Sequence, residues 1–264
     1  MFRKYIISGV TVFIALALFS AFGVRNAASN VAGGYHDLSM NGGGVSGGGF
    51  TYLGVMEPCI FCHTPHNANK NETYSSDPTV GGNAGALNGQ FLWNRRLPSQ
   101  AFQVYSSPTL PVAVNQPGAA SLLCLSCHDG IGGMNVLLHY PDGMSSIPPN
   151  GFGSGNADQF GDFPDPLIAA LNIGDASCTG DNCTGGTNLQ NDHPIGFSYT
   201  TAQTADPTGL KVITNTALQT RLAITGGMVE CNTCHDPHIT NTTHNNFLVV
   251  TNTGSQLCLE CHNK

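Results

Sequence analysis

Eight cysteines and four histidines form four Cys-x-x-Cys-His units: Cys59-Ile-Phe-Cys62-His63, Cys124-Leu-Ser-Cys127-His128, Cys231-Asn-Thr-Cys234-His235 and Cys258-Leu-Glu-Cys261-His262. Two thiols three residues apart can add across the two vinyl groups on one side of a porphyrin. The adjacent imidazole then reaches the iron as its proximal ligand. The pattern therefore implies four covalent c-type haems. With 10 Cys and 10 His in 264 residues, chance supplies on the order of 0.01 such motifs. A zinc site would have to bring two such half-sites together, and a dithiol redox motif needs no trailing His. The remaining pair, Cys178 and Cys183 in Cys-Thr-Gly-Asp-Asn-Cys, lacks a following His. It reads as a small-loop disulfide in an oxidising compartment.

Each iron has a second face, and six histidines remain: His36, His66, His139, His193, His238 and His244. An internal repeat selects among them. The first half runs from His36 through Met56-Glu-Pro-Cys59, His63-Thr-Pro-His66 and Phe91-Leu92 to Leu123-Cys124-Leu125. The second runs from His193 through Met228-Val-Glu-Cys231, His235-Asp-Pro-His238 and Phe247-Leu248 to Leu257-Cys258-Leu259. Each half thus offers two motifs and two further histidines, His36 and His66 or His193 and His238, enough to ligate both faces of two irons. His66 and His238 lie three residues after a proximal His, on the same side of their own porphyrin, so each should ligate a different haem. His139 and His244 have no counterpart and read as surface or propionate-contacting residues. Met56 and Met228 occupy equivalent positions. They could serve as axial ligands that raise the potential, but with four histidines in register packing against haem is the expectation.

The elements that must position these groups are short. The mature chain shows no long amphipathic period, and 33 Gly with 15 Pro mark a loop-rich chain. The expected fold is mostly irregular backbone with short helices, and few or no strands, wrapped round a string of four haems. Pro65 and Pro237 should limit the helices at the motifs. Residues 31–49 and 148–165 read as loops, while 122–127 and 247–251 could be helix or strand. Two dihaem modules are expected, at about 29–145 and 185–264, joined by a Gly/Asp-rich segment. Its acidic stretch, 158–181, lacks a calcium-loop pattern and reads as solvated. Without haem the chain should be largely unfolded, because ligation energy becomes folding energy.

Residues 1–28 look like an export signal. Arg3 and Lys4 precede an uncharged, mostly apolar run, and small residues follow at Ala21, Gly23, Ala27 and Ala28. The run is also long enough for a retained anchor, but the small residues favour cleavage, leaving no stable membrane insertion. The formal net charge is −7. There is no basic patch for a phosphate backbone, which argues against nucleic acid as a partner.

The segments His36-Asp-Leu-Ser, Glu57-Pro-Cys59-Ile-Phe-Cys62-His63-Thr-Pro-His66, Leu92-Trp93-Asn94-Arg95 and Asp192-His193-Pro-Ile-Gly-Phe resemble extracellular multihaem cytochromes of metal-reducing bacteria. With four motifs in a small, loop-rich chain, the similarity is to their filament-forming, OmcE-like tetrahaem type. The resemblance implies bis-histidine irons, polymerisation with neighbouring subunits, redox-partner cytochromes and external electron acceptors. It also implies a distal His donated across the subunit boundary, a role that falls to His36 on its Gly-rich arm.

Three functions compete. A self-assembling extracellular electron conduit is the first, and 9% charged residues favour it over the second, a diffusing periplasmic tetrahaem carrier that docks through charge. The third, a multihaem reductase, needs an iron with an exchangeable face. Eight ligands for eight positions argue against it, so electron transfer rather than enzymatic turnover is expected.

Overall fold

The protein is described by a computed structural model covering residues 31–39, 55–68, 91–98, 101–129, 137–141, 144, 173, 187–239 and 247–263. Residues 1–28, Cys178, Cys183 and His244 lie outside this set, as does the acidic stretch 158–181 apart from Ile173.

The described backbone is mostly coil with short helices and two very short strands, close to the expected class. Five helices occur: α1 (Ala119–His128), α2 (Tyr199–Ala205), α3 (Thr216–Ile224), α4 (Cys231–Cys234) and α5 (Gln256–Cys261). Strands β1 (Phe197–Ser198) and β2 (Met228–Val229) pair antiparallel, Phe197 opposite Val229. A 3₁₀ turn, Pro58–Phe61, starts on Pro58, whose missing N–H costs nothing at a helix start. Among the described residues no helix is long and apolar enough to cross a membrane.

Local chemistry explains where the helices begin. The Ser198 hydroxyl accepts from Thr201 N–H at the start of α2. The Asn215 carbonyl oxygen accepts from Ala217 and Leu218 N–H at the start of α3. The end of α3 is turned by Gly226 and Gly227, both at positive φ, with Gly227 N–H donating to Leu222 O at 2.7 Å. Residues 122–127, undecided from the sequence, fall within α1, where Leu122 and Leu125 share the buried face.

Two apolar clusters hold these pieces. One comprises Trp93, Leu97, Phe102, Leu122, Leu125 and Leu189. The other comprises Tyr199, Ile213, Leu218, Val229 and Val250. Full burial of one such side chain contributes about 1.5–3 kcal/mol, a small return for a chain that must order so much coil.

The internal repeat appears as backbone pairing, with a corrected register. Thr64 N–H donates to Leu92 O (2.8 Å) and Asn94 N–H to Cys62 O (2.9 Å); Asp236 N–H donates to Phe247 O (2.8 Å) and Val249 N–H to Cys234 O (2.9 Å). Leu92 (φ 51°) and Phe247 (φ 58°) are both left-handed. Leu92 is therefore the equivalent of Phe247, and Trp93 of Leu248. This is one residue away from the Phe91-Leu92/Phe247-Leu248 alignment that the side chains suggest.

Candidate functional site

Each cysteine pair occupies about one helical turn, which puts both thiols on one side of the backbone. Cys59 lies in the 3₁₀ turn and Cys62 caps it. Cys124 and Cys127 lie in the last turns of α1. Cys231 and Cys234 are the ends of α4, and Cys258 and Cys261 lie in α5. None of the eight is paired in a disulfide. His235 and His262 follow their helices in extended conformation, so the imidazole turns out of the helix immediately after the second cysteine.

The histidines meet in pairs across long sequence distances. The ring centres of His63 and His238 are 6.1 Å apart and nearly parallel, at 19°. Those of His36 and His128 are 6.2 Å apart, and those of His193 and His262 are 6.3 Å apart. An imidazole nitrogen lies about 2.0 Å from a metal it binds, and the ring centre roughly 1.1 Å behind it, so two imidazoles opposed on one ion have centres about 6.2 Å apart. The three pairs have the spacing of two axial ligands. Each joins one motif histidine to one of the histidines selected by the repeat.

The second ring nitrogen is occupied in three of these residues. Nδ1 of His63 faces Phe91 O at 2.6 Å, Nδ1 of His193 faces Pro194 O at 3.0 Å, and Nδ1 of His238 faces an Asp236 carboxylate oxygen at 3.2 Å. A hydrogen bond at Nδ1 fixes the tautomer that leaves Nε2 available to a metal. Asp236 also pairs with Arg221. These bonds hold the Asp236 carboxyl well below the usual range against the opposing effect of burial.

His36 is presented by a loop built on Asp37, whose carboxylate accepts from Gly33 N–H (2.7 Å) and from Ser39 N–H and Oγ–H (3.1 and 2.6 Å). Burial, with His128 and His238 nearby, lowers His36 to about 4. Its ring centre lies 6.2 Å from that of His128 in the same chain. His66 is exposed, and among the described residues no ring opposes it. His139 is engaged otherwise: its Nε2 faces Asn67 O at 2.9 Å and its backbone N–H donates to Asn94 Oδ1.

The four motifs adjoin in sequence order. The Cys62 thiol is pushed up to about 12, by burial first and then by Cys127. The Cys124 thiol shares a hydrogen bond with Cys231 and is raised by it and by burial. Burial and then Cys261 raise Cys234 to about 12. Each of these influences joins one motif to the next, and between the second and third motifs it includes a hydrogen bond.

A porphyrin fits these surroundings. Met56, Leu92 and Leu259 expose apolar side chains beside the attachment segments. Trp93 Nε1 is a buried donor with no acceptor, and its ring meets His63 edge-on at 5.7 Å; a carboxylate-bearing group beside His63 would satisfy it. Among the described residues no three His, Cys, Asp or Glu side chains converge as a protein-only metal site requires. Sequence reasoning did not identify Phe91 O, Asp236 or the buried side chains of Trp93 and Arg95 as parts of this site. The only signal available for the last two was their place in the Leu92–Arg95 motif.

Residues 223–264 match a family model described as a doubled CXXCH motif. The first two motifs lie outside that match but keep the same spacing, and the whole pattern is consistent with a multihaem c-type cytochrome. No curated protein matches the chain.

Proposed function

We propose that the chain holds four covalent haems between paired imidazoles and relays electrons along them as the subunit of an extracellular filament. The observation that carries this reading is the 6.1–6.3 Å separation of three histidine pairs. Haem, when bound, supplies one-electron ferric/ferrous exchange, and bis-imidazole ligation keeps its potential below that of His/Met sites.

The chain's own residues supply attachment, orientation and spacing. Cys59 and Cys62, Cys124 and Cys127, Cys231 and Cys234, and Cys258 and Cys261 provide the thioethers. His63, His128, His235 and His262 are the proximal ligands. His238, His36 and His193 are the distal partners of the first, second and fourth of these, and the Nδ1 contacts of His238 and His193 restrict those two rings to one orientation. The contacts between successive motifs support an uninterrupted series of sites.

Support for the filament comes from His66. It is the repeat equivalent of His238, yet its ring is exposed. We assign it, rather than His36, to a haem of a neighbouring copy.

Purified mature protein should weigh four haems more than its polypeptide and show a wholly low-spin spectrum. Negative-stain microscopy should show filaments, and His66→Ala should abolish them while keeping four haems. Dispersed wild-type monomers with four low-spin haems would overturn the filament and leave a diffusing periplasmic carrier. A bare polypeptide mass would overturn the whole reading.

A further inference from the structure

The Leu92–Arg95 segment does more than pair with the first motif. Asn94 N–H donates to Cys62 O (2.9 Å), and its side-chain amide donates to Ile60 O (2.7 Å) and His139 O (2.9 Å). The next residue, Arg95, is 2% exposed. Its Nη2 donates to Ser126 O at 3.0 Å, the carbonyl immediately before Cys127. A buried guanidinium is thus fixed between the first and second attachment motifs by bonds to the backbone of both segments.

We propose that Arg95 is a potential-setting residue: its buried positive charge raises the reduction potentials of the haems at Cys59 and Cys62 and at Cys124 and Cys127 above those of the other two. The proposal rests on the tetrahaem reading above. Arg is the residue suited to this place because it keeps its charge when buried and its planar fork can hold a carbonyl. Adding one electron to a neighbouring site lowers that site's positive charge by one, which a nearby cation favours. In the low-dielectric interior this preference is strong.

Geometry sets the reach of the effect. Asn94, next to Arg95, pairs with Cys62 O, and Arg95 Nη2 itself lies on the carbonyl before Cys127, so the charge stands against both attachment segments. In the second half the repeat equivalent of Asn94 is Val249, so Val250 stands in the place of Arg95 and is itself buried. The repeat therefore carries a cation in one half and a methyl-bearing side chain in the other. The first two haems become the electron-rich end of the series.

Spectroelectrochemical titration of the full holoprotein tests this, with dithionite as the one-electron reductant. Arg95→Gln should lower two of the four midpoint potentials, with an unchanged low-spin spectrum. Arg95→Lys should restore most of the shift. Arg96→Gln removes the same charge from an exposed neighbour and should move the potentials far less. Four unchanged potentials in an Arg95→Gln protein that retains four haems would reduce Arg95 to a structural tie and overturn the proposal. If the glutamine variant does not mature, the lysine variant decides: retention of the highest potential supports a charge effect, and its loss in a four-haem protein excludes one. Wild-type protein lacking haem would instead overturn the tetrahaem reading on which the proposal stands.

Discussion

His139 and His238 show how much one nitrogen decides. His238 keeps its Nδ1 on Asp236 with its ring centre 6.1 Å from that of His63, whereas His139 places Nε2 itself on the carbonyl of Asn67. His238→Ala should convert one haem of four to a high-spin or altered-ligand state in the visible and EPR spectra. His139→Ala should leave all four low-spin and cost only the stability of the Asn67 loop. The proximal assignment rests on local chemistry, five consecutive positions doing one job. The distal assignment rests on the repeat, which selects a set of histidines and not their partners. Which one faces which motif depends on contacts 69 to 175 residues apart, as for His193–His262 and His63–His238, and no short pattern encodes those.

Helix α1 shows the same limit for an element. Its sequence, Ala-Ala-Ser-Leu-Leu-Cys-Leu, favours helix, but Gly118 at its N-cap has no side chain to satisfy the first N–H groups. Glu230, from the strand-to-α4 junction, does so instead. Its carboxylate accepts from Gly118 N–H (3.0 and 3.2 Å) and from Ser121 Oγ–H, while Ser121 Oγ accepts from Cys231 N–H at 2.9 Å. The cap comes from 112 residues away, beyond the reach of sequence signals that look within one turn. The caps of α2 and α3, Ser198 and Asn215, are local and their residue types mark them, although the weak periodicity of those helices hid them.

Glu230→Ala should destabilise the fold by about 1–2 kcal/mol, as loss of an N-cap does, measured by thermal unfolding. Burial raises the Glu230 pKa above 4.5, while the bonds from Ser121 and Gly118 pull it down. The folded carboxyl holds its proton to higher pH than the unfolded one. Its contribution to stability is therefore complete below pH 4.5 and falls as pH rises through the raised folded value. Glu230→Gln, which keeps an acceptor without the charge, should gain on wild type as pH rises above 4.5; parallel curves would contradict this. Gly196 is a second tight crossing: at φ +80°, an added Cβ would lie 2.6 Å from Asn115 O. Gly196→Ala should cost about 1–3 kcal/mol, since both the dihedral and the neighbouring backbone resist it.

For the whole molecule the question is what replaces a large core. The two clusters of the described residues are small, and apolar side chains stand exposed next to the motifs. Protein made without its attachment machinery should show little fixed tertiary structure by near-ultraviolet circular dichroism and should be cut rapidly by protease. A cooperatively folded, protease-resistant form without haem would show that side chains alone suffice. The coil-rich, short-helix class was legible from glycine, proline and the missing amphipathic period. The register of the repeat was not, because backbone hydrogen bonds rather than matching side chains set it.

The close approach of Cys124 to Cys231 has a consequence for biogenesis. These two sulfurs belong to different motifs and need to remain apart chemically, yet the finished fold presses them together. In an oxidising compartment, a chain that folded before modification would invite mispairing of these thiols, which would consume one attachment point in each half. Maturation should therefore load the motifs while the polypeptide is still open, with compaction following as the last step.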